Sequence, residues 1–169
     1  MRLVILGAGG YGQTVADVAW QSGKYTDVNF LDDQEGPGVL GKLADFAQFN
    51  DGNTEMIPAF GNNAFRMEWM DRLAEAEIPV ATLVHKRAYV SPTVQLEDGV
   101  VVLPMATVNT GCILKRGVII NCGAVVDHGC VLEEGVHICV NAAVKAENRI
   151  PAQTKIEACQ VVQNRTYPL

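Results

Sequence analysis

The sequence predicts an α/β Rossmann-like βαβ domain over residues 1–83 followed by an all-β left-handed parallel β-helix over residues 84–169. Three observations carry this reading. The first residues run strand, glycine turn, helix, strand, with paired aspartates after the second strand. An aliphatic residue then recurs at every sixth position through the second half, and a glycine precedes a small or β-branched residue in most of those hexads. A chain of 169 residues, 49% hydrophobic and 19% charged, can form one substantial core or two small ones.

Charge bounds the partners. A net charge of -6 and a pI near 5.0 argue against nucleic acid, which requires a concentrated basic face. The first residues lead directly into a short strand, with no signal-peptide pattern, and no apolar run approaches the ~20 residues of a spanning helix. A cytoplasmic chain without membrane insertion is expected. The five cysteines, Cys112, Cys122, Cys130, Cys139 and Cys159, include no CxxC pair, which disfavours a disulfide framework or a zinc knuckle.

In the first domain Arg2–Leu6 reads as a buried strand, followed by Gly7-Ala8-Gly9-Gly10-Tyr11-Gly12 and a helix with apolar Val15, Val18, Ala19 and Trp20. A second strand over residues 27–31 ends at Asp32-Asp33. Such a turn brings backbone N–H groups and a helix N-terminus to a phosphate, and the acid can accept from a sugar hydroxyl or a base. A third strand around residues 55–60 leads to Gly61-Asn62-Asn63, which can cap a helix whose Phe65, Trp69 and Leu73 share a core face. A strand over residues 80–84 hands the chain to the second domain at His85. The sheet is too short for a full dinucleotide and suits a nucleotide-sugar better than NAD.

The second domain is defined by its period. Steps of six from Val84 meet Val90, Leu96, Val102, Val108, Leu114, Ile120, Val126, Leu132, Ile138, Val144, Ile150, Ile156 and Val162, all aliphatic. Four residues after these positions lie Ala88, Val94, Val100, Ala106, Cys112, Val118, Ala124, Cys130, Val136 and Ala142, a tighter inward site. Gly99, Gly111, Gly117, Gly123, Gly129 and Gly135 precede it, as corners with positive φ require. Three strands close a coil of eighteen residues, and stacked coils satisfy one another's backbone. Cys112 and Cys130 then stack as core filler. Asn148, Thr154 and Gln160 break the small position, so the last coil is expected to fray. Open strand edges make a homotrimer the default assembly.

In order and spacing, Gly7–Gly12, Phe30-Leu31-Asp32-Asp33, Val39-Leu40-Gly41, Phe60–Asn63, Leu83-Val84-His85 and above all Ile120-Asn121-Cys122-Gly123-Ala124-Val125-Val126-Asp127-His128 resemble one family over nearly the whole chain. It comprises the bacterial sugar O- and N-acetyltransferases of the sialic acid O-acetyltransferase and bacillosamine N-acetyltransferase (PglD-like) type, which are hexapeptide-repeat transferases. The resemblance implies an acetyl-CoA-dependent transfer to an amine or hydroxyl of a nucleotide-linked amino sugar or sialic-acid-like sugar, without a metal. It implies His128 as general base, assisted by Asn121 and Asp127. An imidazole with a pKa of about 6.5 can take the proton of the attacking group, and a backbone N–H or Asn121 can hold the oxyanion. The nucleotide-activated sugar falls to Gly9, Gly10, Tyr11, Gly12, Asp32, Asp33, Gly61, Asn62 and Asn63. Acetyl-CoA, which the family binds in a groove between neighbouring subunits of a trimer, falls to His137, Asn141 and Ala146.

Two features depart from the family pattern. Gly129 stands where an acid commonly orients the histidine, while Asp127 precedes it, and strand alternation would turn Asp127 to the other side. The stretch after His137 is about one coil shorter, and Asn141 replaces a glycine that lets the coenzyme approach. The alternative reading is therefore a catalytically weakened, nucleotide-sugar-binding trimeric scaffold with an incomplete CoA site. A carbonic-anhydrase-like metalloenzyme is disfavoured, because three histidines would have to converge on zinc while His128 and His137 are expected on different corners of the coil.

Overall fold

The computed structural model describes residues 1–169, in two compact units, Met1–Leu83 and Val84–Leu169. No helix in it is long and apolar enough to cross a membrane.

The first unit is a four-stranded parallel sheet in the order β3-β2-β1-β4, from β1 (Arg2–Leu6), β2 (Asp27–Leu31), β3 (Val39–Gly41) and β4 (Thr54–Pro58). β1 is central and Leu3 to Leu6 are fully buried, as expected of a parallel strand covered on both faces. Helix α1 (Gly10–Ser22) follows the glycine turn and packs against β1 and β2, and α2 (Asn63–Glu75) packs against β4. Val4, Leu6 and Met56 share a core with Trp69 and Leu73 of α2. Leu43, Phe46 and Phe49 join it from a 3-10 helix, Leu43–Phe49, that no periodicity announces. Gly12 starts α1 so close to β1 that a Cβ there would stand 2.0 Å from the Gly7 carbonyl oxygen, so only glycine fits.

Two sequence expectations fail in this unit. The helical spacing predicts Phe65 in the core, yet it is 39% exposed. It sits one turn inside α2 and stacks on Phe60 with ring centroids 4.5 Å apart. The strand over residues 80–84 reduces to a single bridge, Met56 with Val80, and the two-residue strand Leu83–Val84.

The second unit is a left-handed parallel β-helix of two-residue strands in three ladders. One ladder runs through Ile113–Leu114, one through Ile119–Ile120 and one through Val125–Val126. Register is set by the coil: Ile113 pairs with Val131, Ile119 with His137 and Val125 with Ala143. The inward column from Val102 to Val144 is essentially solvent-free. Val84 is exposed and Val90 and Leu96 are only partly buried, since the first coil has no coil beneath it.

The corners explain the glycines. Residues 99, 111, 117, 123, 129 and 135 are glycines with φ between 66° and 74°. The same left-handed conformation continues at Met105, Asn141, Glu147, Gln153, Cys159 and Arg165, so the geometry persists where glycine does not. The last coil does not fray. Buried Asn148 donates from Nδ2 to the carbonyls of Lys145 and Gln163, each at 2.8 Å, and its Oδ1 accepts the Tyr167 N–H at 2.9 Å.

Candidate functional site

In the first unit the candidate residues follow the carboxyl ends of β1, β2 and β4. The sheet order places β4 on one side of β1 and β2 with β3 on the other, so the loops after β1 and β4 flank the point where strand order reverses. Parallel α/β sheets bind ligands there. Gly9 and Gly10 differ from Gly12: a Cβ on either would meet no atom within 4 Å, and neither has a positive φ. Internal packing does not require glycine at these positions, which leaves the backbone open to close approach from outside.

Asp32 and Asp33 line a cleft of about 780 Å³ with Glu35, Leu40, Lys42 and Asp45. A second cleft of about 420 Å³ shares Asp32 and Glu35 and adds Ala8, Gly9, Gln13 and Gln34. Asp32 is partly engaged within the chain, accepting the Ala8 N–H at Oδ2 (2.7 Å) and the Gln34 N–H at Oδ1 (2.9 Å). Asp33 Oδ1 accepts the Leu43 N–H at 3.3 Å. The aspartates therefore shape the loops as well as facing the cleft. An acceptor-rich wall suits a base and ribose hydroxyls, whereas the open glycine turn at the helix N-terminus suits phosphate.

Tyr11, Gly12 and Gly61 to Asn63 line neither cleft. Asn62 caps α2, its Oδ1 accepting the Phe65 N–H at 3.0 Å. Asn63 Oδ1 accepts from Arg66, which also donates to the Phe60 carbonyl, both at 2.9 Å. Arg66, absent from the sequence reading, ties the loop after β4 together from inside the protein. It is buried on α2 beside Met67 and Met70, and burial lowers its pKa from the usual value. The Tyr11 hydroxyl lies buried within electrostatic range of Arg66 and makes no hydrogen bond, and burial raises its pKa. An arginine on the apolar face of α2, in step with Met70 and Leu73, was the signal available in the sequence.

In the second unit His128 is exposed at the corner after Val125–Val126. The Asp127 side chain makes its contacts at that corner through the main chain and the coil before it. Its Oδ1 accepts the His128 N–H at 2.8 Å and the Asn109 Nδ2–H at 3.2 Å. The first of these bonds, more than Asn109 and the nearby His128 charge, holds the Asp127 carboxyl below its ordinary pKa.

The next coil brings Ala146 and Glu147 over this corner, with the Glu147 N–H donating to the His128 carbonyl at 3.1 Å. The Glu147 side chain lies over Gly129, its Cγ 3.7 Å from where a Cβ would stand. Asn121 belongs to the preceding corner and joins His137: its Nδ2 donates to His137 Nε2 at 3.2 Å and its Oδ1 accepts the Cys122 N–H at 2.8 Å. His137 lies on a strand and is buried, rather than at a corner. Asn141 lies over Gly123, where a Cβ would stand 2.2 Å from Asn141 Oδ1. Within the chain Asp127 and Ala146 thus gather at the His128 corner, and Asn121, His137 and Asn141 gather elsewhere.

Comparison with known proteins follows the same division. A family model described as the PglD N-terminal domain matches residues 2–73. The acetyltransferase domain of PglB from Neisseria gonorrhoeae FA1090 is 32% identical, with a TM-score of 0.93, covering 97% of this chain and 83% of that one. The same domain solved in complex with acetyl coenzyme A gives 32%, 0.93, 97% and 82%. PerB from Caulobacter crescentus, solved in complex with CoA and GDP-perosamine, shares the fold at 20% identity and a TM-score of 0.69, covering 96% of this chain and 92% of that one.

Proposed function

Since the chain belongs to the PglD-like family of sugar acetyltransferases, we propose that it transfers the acetyl group of acetyl-CoA to an amine or hydroxyl of a nucleotide-linked amino sugar or sialic-acid-like sugar, with His128 as general base. The observation that carries this reading is the His128 corner. It presents an exposed histidine whose main-chain N–H is held by the Asp127 carboxylate, in a fold shared at 32% identity with a domain solved in complex with acetyl coenzyme A. Residues 1–83 hold the nucleotide sugar through the glycine turn, Asp32, Asp33 and the loop braced by Arg66. Residues 84–169 carry the transfer.

His128 accepts the proton from the acceptor nitrogen or oxygen as that atom attacks the thioester carbonyl. The charge that develops on the carbonyl oxygen is met by a backbone N–H. Ala146, one coil beyond His128, offers one that donates to no acceptor within the chain, whereas Asn121 is engaged with His137. When the tetrahedral intermediate collapses, the C–S bond breaks and the departing thiolate takes the proton from His128, so the base is restored.

The transferring unit works as a homotrimer in this reading. The outward residues of the ladder through Val125 are mostly apolar, with Tyr89 56%, Val125 39% and Val161 50% exposed and Thr107 the polar member, and the His128 corner follows its middle strand. Exposed apolar faces of this kind mark association surfaces. Calorimetric titration with acetyl-CoA and with UDP-, CMP- and GDP-linked amino sugars tests the proposal. Saturable binding of acetyl-CoA and of at least one nucleotide sugar is expected. Nucleotide-sugar binding without coenzyme binding would replace the transferase with a binding scaffold.

A further inference from the structure

The corner that carries His128 is tied to the coil before it by a side chain with no part in the transfer scheme. Asn109 lies eighteen residues before Asp127 and donates from Nδ2 to Asp127 Oδ1 at 3.2 Å. The same oxygen accepts the His128 N–H at 2.8 Å. Backbone bonds keep these residues in register, Asn109 N–H to the Val126 carbonyl and Asp127 N–H to the Val144 carbonyl, both at 2.9 Å. One carboxylate oxygen thus collects a donor from the previous coil and another from the residue that carries the base.

Resting on the reading of His128 as general base, we propose that Asn109 is a positioning residue for that base, pinning Asp127 so that the backbone of the corner that carries the base stays fixed during transfer. The other titratable groups packed on this corner have partners of their own. Lys145 donates to Gln163 Oε1 at 2.7 Å, and Glu147 is paired with Arg165, whose Nε donates to it at 2.6 Å. The Cys112 and Cys130 thiols donate inward, to the carbonyls of Asp127 at 3.1 Å and Lys145 at 3.3 Å. Asp127 is therefore the carboxylate held at this corner, by the His128 main-chain N–H and by Asn109.

Full-length variants test this in a CoA-release assay and by NMR hydrogen exchange of the His128 main-chain N–H, assigned with His128→Ala. Asn109→Val is expected to lower kcat about tenfold, a fraction of what a general base contributes, with both KM values within about twofold. Asp127→Asn keeps an acceptor for the His128 N–H while removing the charge. Asn109→Val should add less than about twofold in the Asp127→Asn background, as expected of residues acting through one another. In the NMR experiment the His128 N–H should exchange faster in Asn109→Val than in the wild type. Unchanged kcat and unchanged exchange in Asn109→Val, or a fully additive double variant, would overturn the proposal. An inactive wild-type chain in which Asn109→Val still speeds the exchange would count against the transferase reading and leave the pinning of the His128 corner by Asn109 intact.

Discussion

Asp127 and Arg66 show how much a single residue's surroundings add to its identity. His128 was legible because its neighbours in sequence form a motif, but the Asn109 donor to Asp127 stands eighteen residues earlier and meets it only once the coils stack. Arg66 was invisible for a related reason: its partners, the Phe60 carbonyl and Asn63 Oδ1, are recognisable only once the loop is folded against α2. Replacing it by Met leaves two acceptors without their charged donor, worth about 1–3 kcal/mol. Arg66→Met is expected to raise KM for the nucleotide sugar with little change in KM for acetyl-CoA, measured in steady state. A second residue-scale prediction concerns pH. His85 Nδ1 accepts the Arg87 N–H at 3.1 Å, and burial, with Lys86 and Arg87 nearby, lowers its pKa. The unfolded chain then binds the proton more readily, so stability falls as pH drops below about 6.5. The decrease in Tm between about pH 7.5 and 5.5 should be smaller in His85→Gln.

At the scale of elements, the hexad was readable because a coil repeats the same local demand: one aliphatic residue inward, one small residue beside the corner, one residue with positive φ. Asn148 is the instructive exception. It breaks the small-residue rule, which predicts fraying, yet it closes the last coil through contacts with Gln163 and Tyr167, which lie far along the chain. Asn148→Val leaves those groups without partners, and each buried loss costs about 1–3 kcal/mol. A lower Tm and faster proteolysis near the C-terminal end are expected. Cys159 holds φ at 61°, a conformation that costs a residue with a side chain about 1–2 kcal/mol. Cys159→Gly should therefore raise Tm by a few degrees in a thermal melt. The 3-10 helix, Leu43–Phe49, escaped the sequence reading because its Phe46 contact with Trp69, 5.5 Å between ring centroids, is long-range and follows neither helix nor strand period.

At the scale of the molecule, an open α/β sheet offers a ligand crevice at its strand ends, while a β-helix offers rigid corners on which one histidine can be held. The division into units at Leu83 and Val84 coincides with the change from one hydrophobic period to the other. The apolar stripe through Val125 was missed as a surface, because the same Val–Val strand supplies one residue inward and one outward. If that stripe is the trimer interface, sedimentation should give three times the chain mass, and Val125→Asp should give the monomer. The most direct test of the account follows free CoA with a thiol reagent while acetyl-CoA is incubated with UDP-, CMP- and GDP-linked amino sugars. CoA release that requires one of these sugars and falls at least about 100-fold in His128→Ala, the scale of lost general-base catalysis, is the predicted result. Sugar-dependent release that survives His128→Ala, or no release with any of them, would contradict it.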